Sequence, residues 1–193
     1  MSTTQPIRDL EHVRALANYY ENLGQSRNHR LILMGLHTAL RISDMLCLRW
    51  QDVYDYEGKR VRETITVTEQ KTGKKKIIAL NSRISDVLNK YASSVAPHDF
   101  LFANPTTSKA ITRSQAYRII QSAGESLGLP ERVSCHSLRK TFGYHAWKSG
   151  VSPAVIMDIY NHNSLAVTQR YLGVSQDDKN AVYLNMNFTD SHF

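Results

Sequence analysis

The stretch that decides the fold runs from Cys135 to Tyr171 and reads CHSLRKTFGYHAWKSGVSPAVIMDIYNHNSLAVTQRY. Its first half has helical periodicity, because Leu138, Phe142 and Ala146 recur every four residues. On a helix, residues four apart share one face, so these three predict the buried side. The stretch therefore begins with a helix that packs against the core.

Two breaks divide this stretch into separate helices. Gly150 predicts the end of the first helix, and Pro153 is well placed to open the next one. His136 and Arg139 lie three residues apart in the first helix, so both project from one face. This spacing places a basic pair beside the core and leaves it accessible to a ligand.

Taken singly, the polar residues of this stretch have structural explanations as well as functional ones. A helical His-x-x-Arg pair is most often a solvated face, and His162 fits a turn or a helix cap. Tyr171 is one of ten tyrosines, and most tyrosines serve packing. Their combination with Arg41, far upstream, favours a functional site.

Composition limits the class of protein. A chain of 193 residues suits one domain with a proper core. Lys and Arg number 24 against 17 Asp and Glu, and the net charge of +7 favours a polyanionic partner, most often nucleic acid. Simple solubility is the alternative explanation. Cys47 and Cys135 are too few for a disulfide scaffold, and no apolar run is long enough to span a bilayer, so we expect a soluble cytoplasmic protein.

Arg41 lies at a predicted junction between helices. Residues 8–22 and 29–39 have helical spacing, and the second helix is strongly apolar. Ser43 with Asp44 is suited to start a third, short helix that runs through Leu48. Because a buried arginine needs an anionic partner, we expect Asp44 to pair with Arg41 and to orient it toward a ligand.

The middle of the chain carries the strand signal. Thr64–Thr68 is rich in β-branched residues, 75–80 offers a second strand, and Gly73 lies at a turn position between them. A segment near Val53 is predicted to add a third strand. The sequence therefore predicts a small three-stranded antiparallel β-sheet.

The hairpin of this sheet carries four lysines, which are Lys71, Lys74, Lys75 and Lys76. One explanation is a solvated hairpin tip that lysines protect from edge pairing. The other is contact with the phosphates of a nucleic acid.

The remaining sequence is predicted to be helical. Residues 82–93 form one helix, and Thr112 is predicted to cap another that ends before Gly128. The tail from 175 to 193 adds a last short helix with apolar residues near its end. The fold class is mainly α with a small antiparallel sheet, in one domain that spans 1–193.

At six positions the chain resembles the tyrosine recombinases, the phage integrase family. The motifs are Thr38-Ala-Leu-Arg-Ile-Ser-Asp44 and His136-Ser-Leu-Arg139, and the positions in order are Arg41, Lys71, His136, Arg139, His162 and Tyr171. The similarity covers nearly all of the chain and implies the family's catalytic-domain fold, the DNA breaking-rejoining fold. It also leads us to expect that the separate N-terminal core-binding domain of the family is absent.

Two departures from the family pattern concern the backbone. The family usually has Leu-Gly-His before its tyrosine, whereas this chain has Tyr160-Asn161-His162. The glycine that usually precedes the first Leu-Arg is Ala39. Both changes put local backbone geometry in question and leave the functional residues in place.

The resemblance implies a site-specific DNA recombinase, an integrase of a mobile genetic element, that cleaves and rejoins strands through a covalent 3′-phosphotyrosine. Tyr171 offers the nucleophile. Its ordinary pKa of about 10 means that it needs a base, and His136 is the better candidate. His162 is then a hydrogen-bond donor to the phosphate.

The other predicted roles concern charge. Arg41 and Arg139 suit the two non-bridging oxygens, because guanidinium groups match phosphate geometry and stay charged. The resemblance points to Lys71 as the acid that protonates the departing 5′ oxygen, which leaves Lys74, Lys75 and Lys76 as DNA-binding residues. We expect no cofactor and no metal, since Cys135 with its neighbouring histidine fits no common zinc spacing.

The expected partners are double-stranded DNA and further copies of the chain, which assemble on DNA into a tetrameric synapse. In the family, the segment beyond the nucleophile packs on a neighbouring protomer. Two rival functions remain. One is a type IB topoisomerase, which shares this chemistry, and the other is a catalytically inactive DNA-binding accessory or regulatory protein.

Overall fold

The computed structural model of the protein describes residues 4–174 and 176–185. Within these residues ten helices and four short strands follow one another along the chain. Their bounds are α1 Leu10–Asn22, α2 Ser26–Thr38, α3 Ile42–Met45, α4 Trp50–Val53, β1 Tyr54–Asp55, β2 Arg60–Val61, β3 Thr64–Thr68, β4 Lys75–Ala79, α5 Ser82–Ala92, α6 Arg113–Ser126, α7 Cys135–Lys148, α8 Pro153–Tyr160, α9 Leu165–Leu172 and α10 Gln176–Asn185. The prediction of a mainly helical fold with a small antiparallel strand region is confirmed.

Helix α2 is the centre of the main core, as its apolar sequence predicts. Leu31, Ile32 and Met34 are almost completely buried, and the helix packs against α1, α5 and α7. The helix begins at Ser26, three residues earlier than its apolar run suggests. It ends at Thr38, which leaves Arg41 at the junction with α3.

The predicted three-stranded sheet is wrong in its pairing. The segment near Val53 does continue into a strand, but β1 pairs with β2, whereas β3 pairs separately with β4. The reason is local: β1 and β2 are joined by only four residues, so the chain folds back on itself as a short hairpin before β3 begins. The result is two small antiparallel sheets in the region where one was expected.

Helix α7 belongs to two hydrophobic clusters at once. Leu138 packs in the main core, while Phe142 and Ala146 pack against a second cluster built around Ile156 and Tyr160 of α8. The predicted stripe of α7 therefore faces inward along its whole length. This arrangement places the polar residues of its first turns where the two clusters meet.

The predicted helix breaks are confirmed. Helix α7 ends at Lys148, Gly150 follows with φ +89°, and Pro153 is the first residue of α8. Thr112 caps α6, because its side chain accepts a hydrogen bond from the Gln115 amide. The breaks within 135–171 divide that stretch into three helices, as predicted.

Helix α10 is the predicted last helix, and its apolar residues face solvent. Val182, Tyr183 and Leu184 are 57%, 80% and 83% exposed. Residues 186–193 lie outside the described part of the chain. In the part that is described, no helix combines the length and the apolar character that crossing a bilayer would require.

The contact between α7 and α8 depends on a glycine. A β-carbon placed on Gly143 would collide with the Tyr160 hydroxyl and would lie 2.9 Å from Leu172 Cδ2. We expect Gly143→Ala to lower the free energy of unfolding by about 1–3 kcal/mol, because a filled site must push its neighbours aside. Denaturant unfolding measures this loss.

A double-mutant cycle with Tyr160→Phe identifies the cause. Removing the hydroxyl takes away the closest clash, so the two substitutions should be less destabilising together than the sum of their separate effects. Strict additivity would show that the methyl group introduced at position 143 is tolerated without touching Tyr160.

Candidate active site

The side chain of Arg139 is a buried charge at the centre of the candidate site. It is only 3% exposed, and its guanidinium donates hydrogen bonds to the carbonyl oxygens of Ala39 and Tyr160, the latter at 3.1 Å. The Tyr160 hydroxyl in turn donates to the Arg139 carbonyl at 2.6 Å. Helix ends leave carbonyl groups without helical partners, and cations near these ends are stabilised.

Both acceptor carbonyls lie at helix ends, where one residue has a left-handed backbone conformation. Ala39 ends α2 with φ 53°, and Asn161 ends α8 with φ 53°. These are the two positions at which the chain departs from the family's glycines. Asparagine adopts this conformation more readily than most residues, so Asn161 keeps the turn that a glycine would make. Alanine at position 39 adopts it as well, at some steric cost.

Arg41 has a different partner from the predicted one. Its Nη1 lies 2.6 Å from Oε1 of Glu69, a carboxylate that is completely buried. The N–H does not point at the oxygen, so the contact is an ion pair rather than a linear hydrogen bond. Asp44 instead accepts a hydrogen bond from the Gln70 amide at 3.0 Å, because it faces the backbone of the hairpin. The expected pair of Arg41 and Asp44 is therefore wrong.

Tyr171, in the last turn of α9, lies against His136 at the start of α7. The phenol oxygen is 3.3 Å from Nδ1 of His136, and the two rings meet edge to face. Burial raises the pKa of Tyr171, while Arg139 and Arg41 act in the opposite direction. The phenol thus keeps its proton at neutral pH and has a ring nitrogen beside it to receive that proton.

Both histidines are neutral near pH 7. The pKa of His136 is lowered to about 4, first by the desolvation of its ring in the cleft and then by Lys140, Arg139 and Arg41. The pKa of His162 is lowered to about 4 as well, by burial and then by the same arginines. A neutral ring can accept a proton, which a base requires.

His162 is oriented by α9. Its Nδ1 lies 3.1 Å from the hydroxyl of Thr168, which is completely buried. The hydroxyl has one proton and also lies 3.4 Å from the Ser164 carbonyl. When it donates to Nδ1 instead, the neutral ring carries its own proton on Nε2. That nitrogen can then donate a hydrogen bond into the cleft.

The six predicted residues line one open cleft of about 810 Å³, and they are Arg41, Lys71, His136, Arg139, His162 and Tyr171. Lys71 is exposed and is the one of the four hairpin lysines that lines this cleft. Lys74 and Lys75 are exposed farther along the hairpin. The structure thus brings the six positions together around a space that a phosphodiester can enter.

Lys76 is placed differently from the other hairpin lysines. Its side chain is 11% exposed, and its ammonium group donates to the carbonyl of Ile159 and lies 3.9 Å from Glu69. Burial is the main reason that its pKa is lowered to about 8. Its predicted contact with DNA stays a prediction, although the side chain faces the protein interior.

Sequence reasoning missed Glu69 as a member of this site. The signal was present in the strand, because Ile65, Val67 and Glu69 alternate along one face and all three are buried. A carboxylate that continues a buried face requires a cationic partner. Arg113 also lines the cleft and was not singled out from the sequence.

No group of three or more histidine, cysteine, aspartate or glutamate side chains suited to a metal ion occurs among residues 4–174 and 176–185. Cys47 and Cys135 are both free thiols. The cleft's charge comes from its arginines and lysine.

The fold is that of tyrosine recombinase catalytic domains. The solved structure of XerA recombinase matches 96% of this chain and 68% of its own, with a TM-score of 0.78 and 21% identity. XerH site-specific recombinase bound to palindromic difH substrate matches with a TM-score of 0.76 and 18% identity. That match covers 96% of this chain, which spans about half of the XerH chain (54%).

Sequence comparison identifies the family to which the chain belongs. The model of the phage integrase family matches residues 8–177. A probable integrase/recombinase, YoeC of Bacillus subtilis (strain 168), is 36% identical over 183 residues, which are 95% of this chain and 97% of the relative. The chain belongs to the phage integrase family. It is a tyrosine-type site-specific recombinase, the class that the sequence predicted.

The two cleft histidines make stability depend on pH. Their pKa is about 6.5 in the unfolded chain and about 4 in the folded protein, so the unfolded chain binds more protons between these values. We expect the folded state to lose stability as the pH falls from 7 to 5. Thermal unfolding across this range measures the effect.

The double variant His136→Gln, His162→Gln should lose less stability over the same range. Some dependence should remain, because burial also lowers the pKa of His29 and His37. Exposed His98 is the matched control, and His98→Gln should keep the full dependence. An equal loss in the double variant and the wild type would contradict the assignment.

Proposed function

We propose that this protein cleaves and rejoins DNA strands at specific sites through a covalent 3′-phosphotyrosine on Tyr171. The observation that carries the proposal is the contact of the Tyr171 phenol with Nδ1 of His136 at 3.3 Å, beside Arg139 and open to the cleft. A nucleophile next to a neutral base and a fixed cation is the arrangement that phosphoryl transfer requires.

The proposed cleavage step exchanges a phosphodiester bond of DNA for a bond from phosphorus to Tyr171. The Tyr171 oxygen attacks phosphorus as its proton passes to Nδ1 of His136, and the bond from phosphorus to the 5′ oxygen breaks. Lys71 gives a proton to that oxygen. Rejoining is the reverse reaction with a 5′ hydroxyl from another strand, so the energy of the broken bond is kept in the phosphotyrosine.

Arg41 and Arg139 are proposed to hold the non-bridging oxygens. Glu69 neutralises one of these charges, so the pair keeps an excess of positive charge for a phosphodiester. His162, whose ring lies 5.0 Å from that of Tyr171, is proposed to add a neutral donor to the cleft. No metal or other cofactor takes part in the proposed mechanism.

The proposed DNA contacts lie on the hairpin beside the cleft. Lys74 and Lys75 are exposed there, and the chain carries a net charge of +7. Basic side chains next to a cleavage site bind the neighbouring phosphates without reading sequence. We propose that DNA cleavage takes place in the cytoplasm, where the two free cysteines stay reduced.

On DNA we propose a homo-oligomer, with four copies in the complete synapse. A palindromic substrate, such as the one bound by XerH, presents the same half-site twice and suits paired copies. Helix α10 supports assembly, because Val182, Tyr183 and Leu184 are exposed apolar residues beyond the proposed nucleophile. Such a patch is typical of a surface that a partner covers.

Covalent capture tests the proposed function. Duplex DNA with a randomised centre and one nick is incubated with the protein, and a denaturing gel followed by sequencing identifies DNA that stays attached. We expect an adduct enriched in one sequence, because a nick lets the cleaved end diffuse away and traps the intermediate. Tyr171→Phe lacks only the hydroxyl and should form none.

The rival functions give different results in this assay. Capture with no sequence enrichment, together with relaxation of supercoiled DNA, would indicate a type IB topoisomerase. Binding with no adduct from the wild type would indicate an accessory protein.

A sulfur substrate tests the role of Lys71. Lys71→Ala should cleave ordinary DNA about 10²–10⁴-fold more slowly, because the leaving oxygen loses its acid. Replacing the bridging 5′ oxygen by sulfur gives a leaving group that needs no proton, so this variant should recover on that substrate. Single-turnover cleavage of the captured sequence measures both rates.

Arg139→Ala is the control for this experiment. It should not recover on the sulfur substrate, because its loss concerns the non-bridging oxygens. Rescue of Lys74→Ala or Lys75→Ala instead would move the acid to that lysine, and rescue of no lysine variant would place the acid elsewhere.

A further inference from the structure

Glu69 is a carboxylate sealed inside the protein, and it connects three separate segments. Its side chain has no exposed surface. It pairs with Arg41 at the junction of α2 and α3, and it accepts a hydrogen bond from the Thr72 hydroxyl at 2.7 Å in its own hairpin. The side chain of Asn161, at the end of α8, also helps to lower the pKa of this carboxylate.

This carboxylate stays charged in spite of its burial. Burial alone would raise the pKa of Glu69, but Thr72, Arg41 and Asn161 favour the ionised form and lower the pKa to about 2. An ionised group without solvent is stable only while its partners stay in place. Each partner is therefore held to the carboxylate by the cost of leaving it unpaired.

Lys76 completes the same network from the neighbouring strand. Lys75 and Ile77 on β4 face solvent, whereas Lys76 points inward between them, as strand alternation requires. Its ammonium group reaches both the Ile159 carbonyl at the end of α8 and, at 3.9 Å, Glu69. The lysine therefore joins the hairpin to the end of α8.

The partners of this network are next to residues of the cleft. Glu69 lies two positions before Lys71, and Asn161 directly precedes His162. Arg41 is itself a direct partner. A shift of the carboxylate would thus move a proposed acid, a proposed donor and a proposed phosphate ligand together.

We infer that Glu69 is a positioning residue of this site, a buried anion that fixes Arg41 directly and, together with Lys76, holds the Lys71 hairpin against the turn that carries His162. The inference rests on the proposed function. It also assigns Lys76 to this network and separates it from Lys74 and Lys75, which remain the proposed DNA contacts.

Cleavage rate and DNA affinity are measured separately to test this inference. The probe is the duplex selected by covalent capture, with single-turnover cleavage at saturating protein and temperatures below the melting point of each variant. Glu69→Gln keeps the size of the side chain but not its charge. We expect cleavage to slow by about 10²-fold, as a misplacement near 1 Å would produce, with little change in affinity. Glu69→Asp keeps the charge and should recover part of the rate.

Lys76 and Lys75 form a matched pair, since they are neighbours on one strand. Lys75→Ala should weaken DNA binding and reduce the slope of log affinity against log salt by about 1. Lys76→Ala should slow cleavage and leave that slope unchanged, because its charge is bound within the protein.

Failure of the inference about Glu69 and failure of the proposed function give different results. Wild-type cleavage by Glu69→Gln, or a slope change in Lys76→Ala equal to that of Lys75→Ala, would overturn the inference and leave the function intact. Absence of an adduct from the wild type would overturn the proposed function and the inference with it. If Glu69→Gln does not fold, Glu69→Asp and Lys76→Ala decide the question.

Discussion

The clamp on the Arg139 guanidinium is the interaction on which the rest of the cleft depends. Two helices, α2 and α8, end at this side chain, and their last carbonyl groups accept its hydrogen bonds. A buried cation without acceptors would be costly, so the helices and the arginine stabilise one another. Arg41 follows the end of α2 and His162 follows the end of α8. Because both helices end at Arg139, both residues are held close to it. The positions of two further cleft residues follow from this one cation.

Beside this clamp, one buried carboxylate offsets part of the positive charge of the cleft. Arg41 and Arg139 would repel each other, and Glu69 lies beside Arg41 to offset the repulsion. Uncharged groups complete the arrangement, because both histidines are neutral near pH 7. The outcome is a site with enough positive charge for one phosphodiester and a neutral base beside the phenol of Tyr171.

The sequence predicted the parts of this fold that local rules govern. Gly150, Pro153 and Thr112 mark helix boundaries, because capping and breaking depend on a few adjacent residues. The partner of Arg41 was not predictable by the same rules. Asp44 is near in sequence, but the fold of the hairpin onto the junction decides which carboxylate arrives there. Strand pairing was missed for a similar reason, since two short hairpins and one three-stranded sheet have the same residue pattern.

The acceptors that hold Arg139 belong to the main chain, and this has a consequence for the evolution of the site. Every amino acid supplies the same carbonyl group, so a substitution at position 39 or 160 changes shape and packing but leaves the acceptor in place. A single side-chain substitution at either position therefore does not remove the carbonyl group that accepts from Arg139. Side chains around it are free to change while the main-chain acceptors are retained.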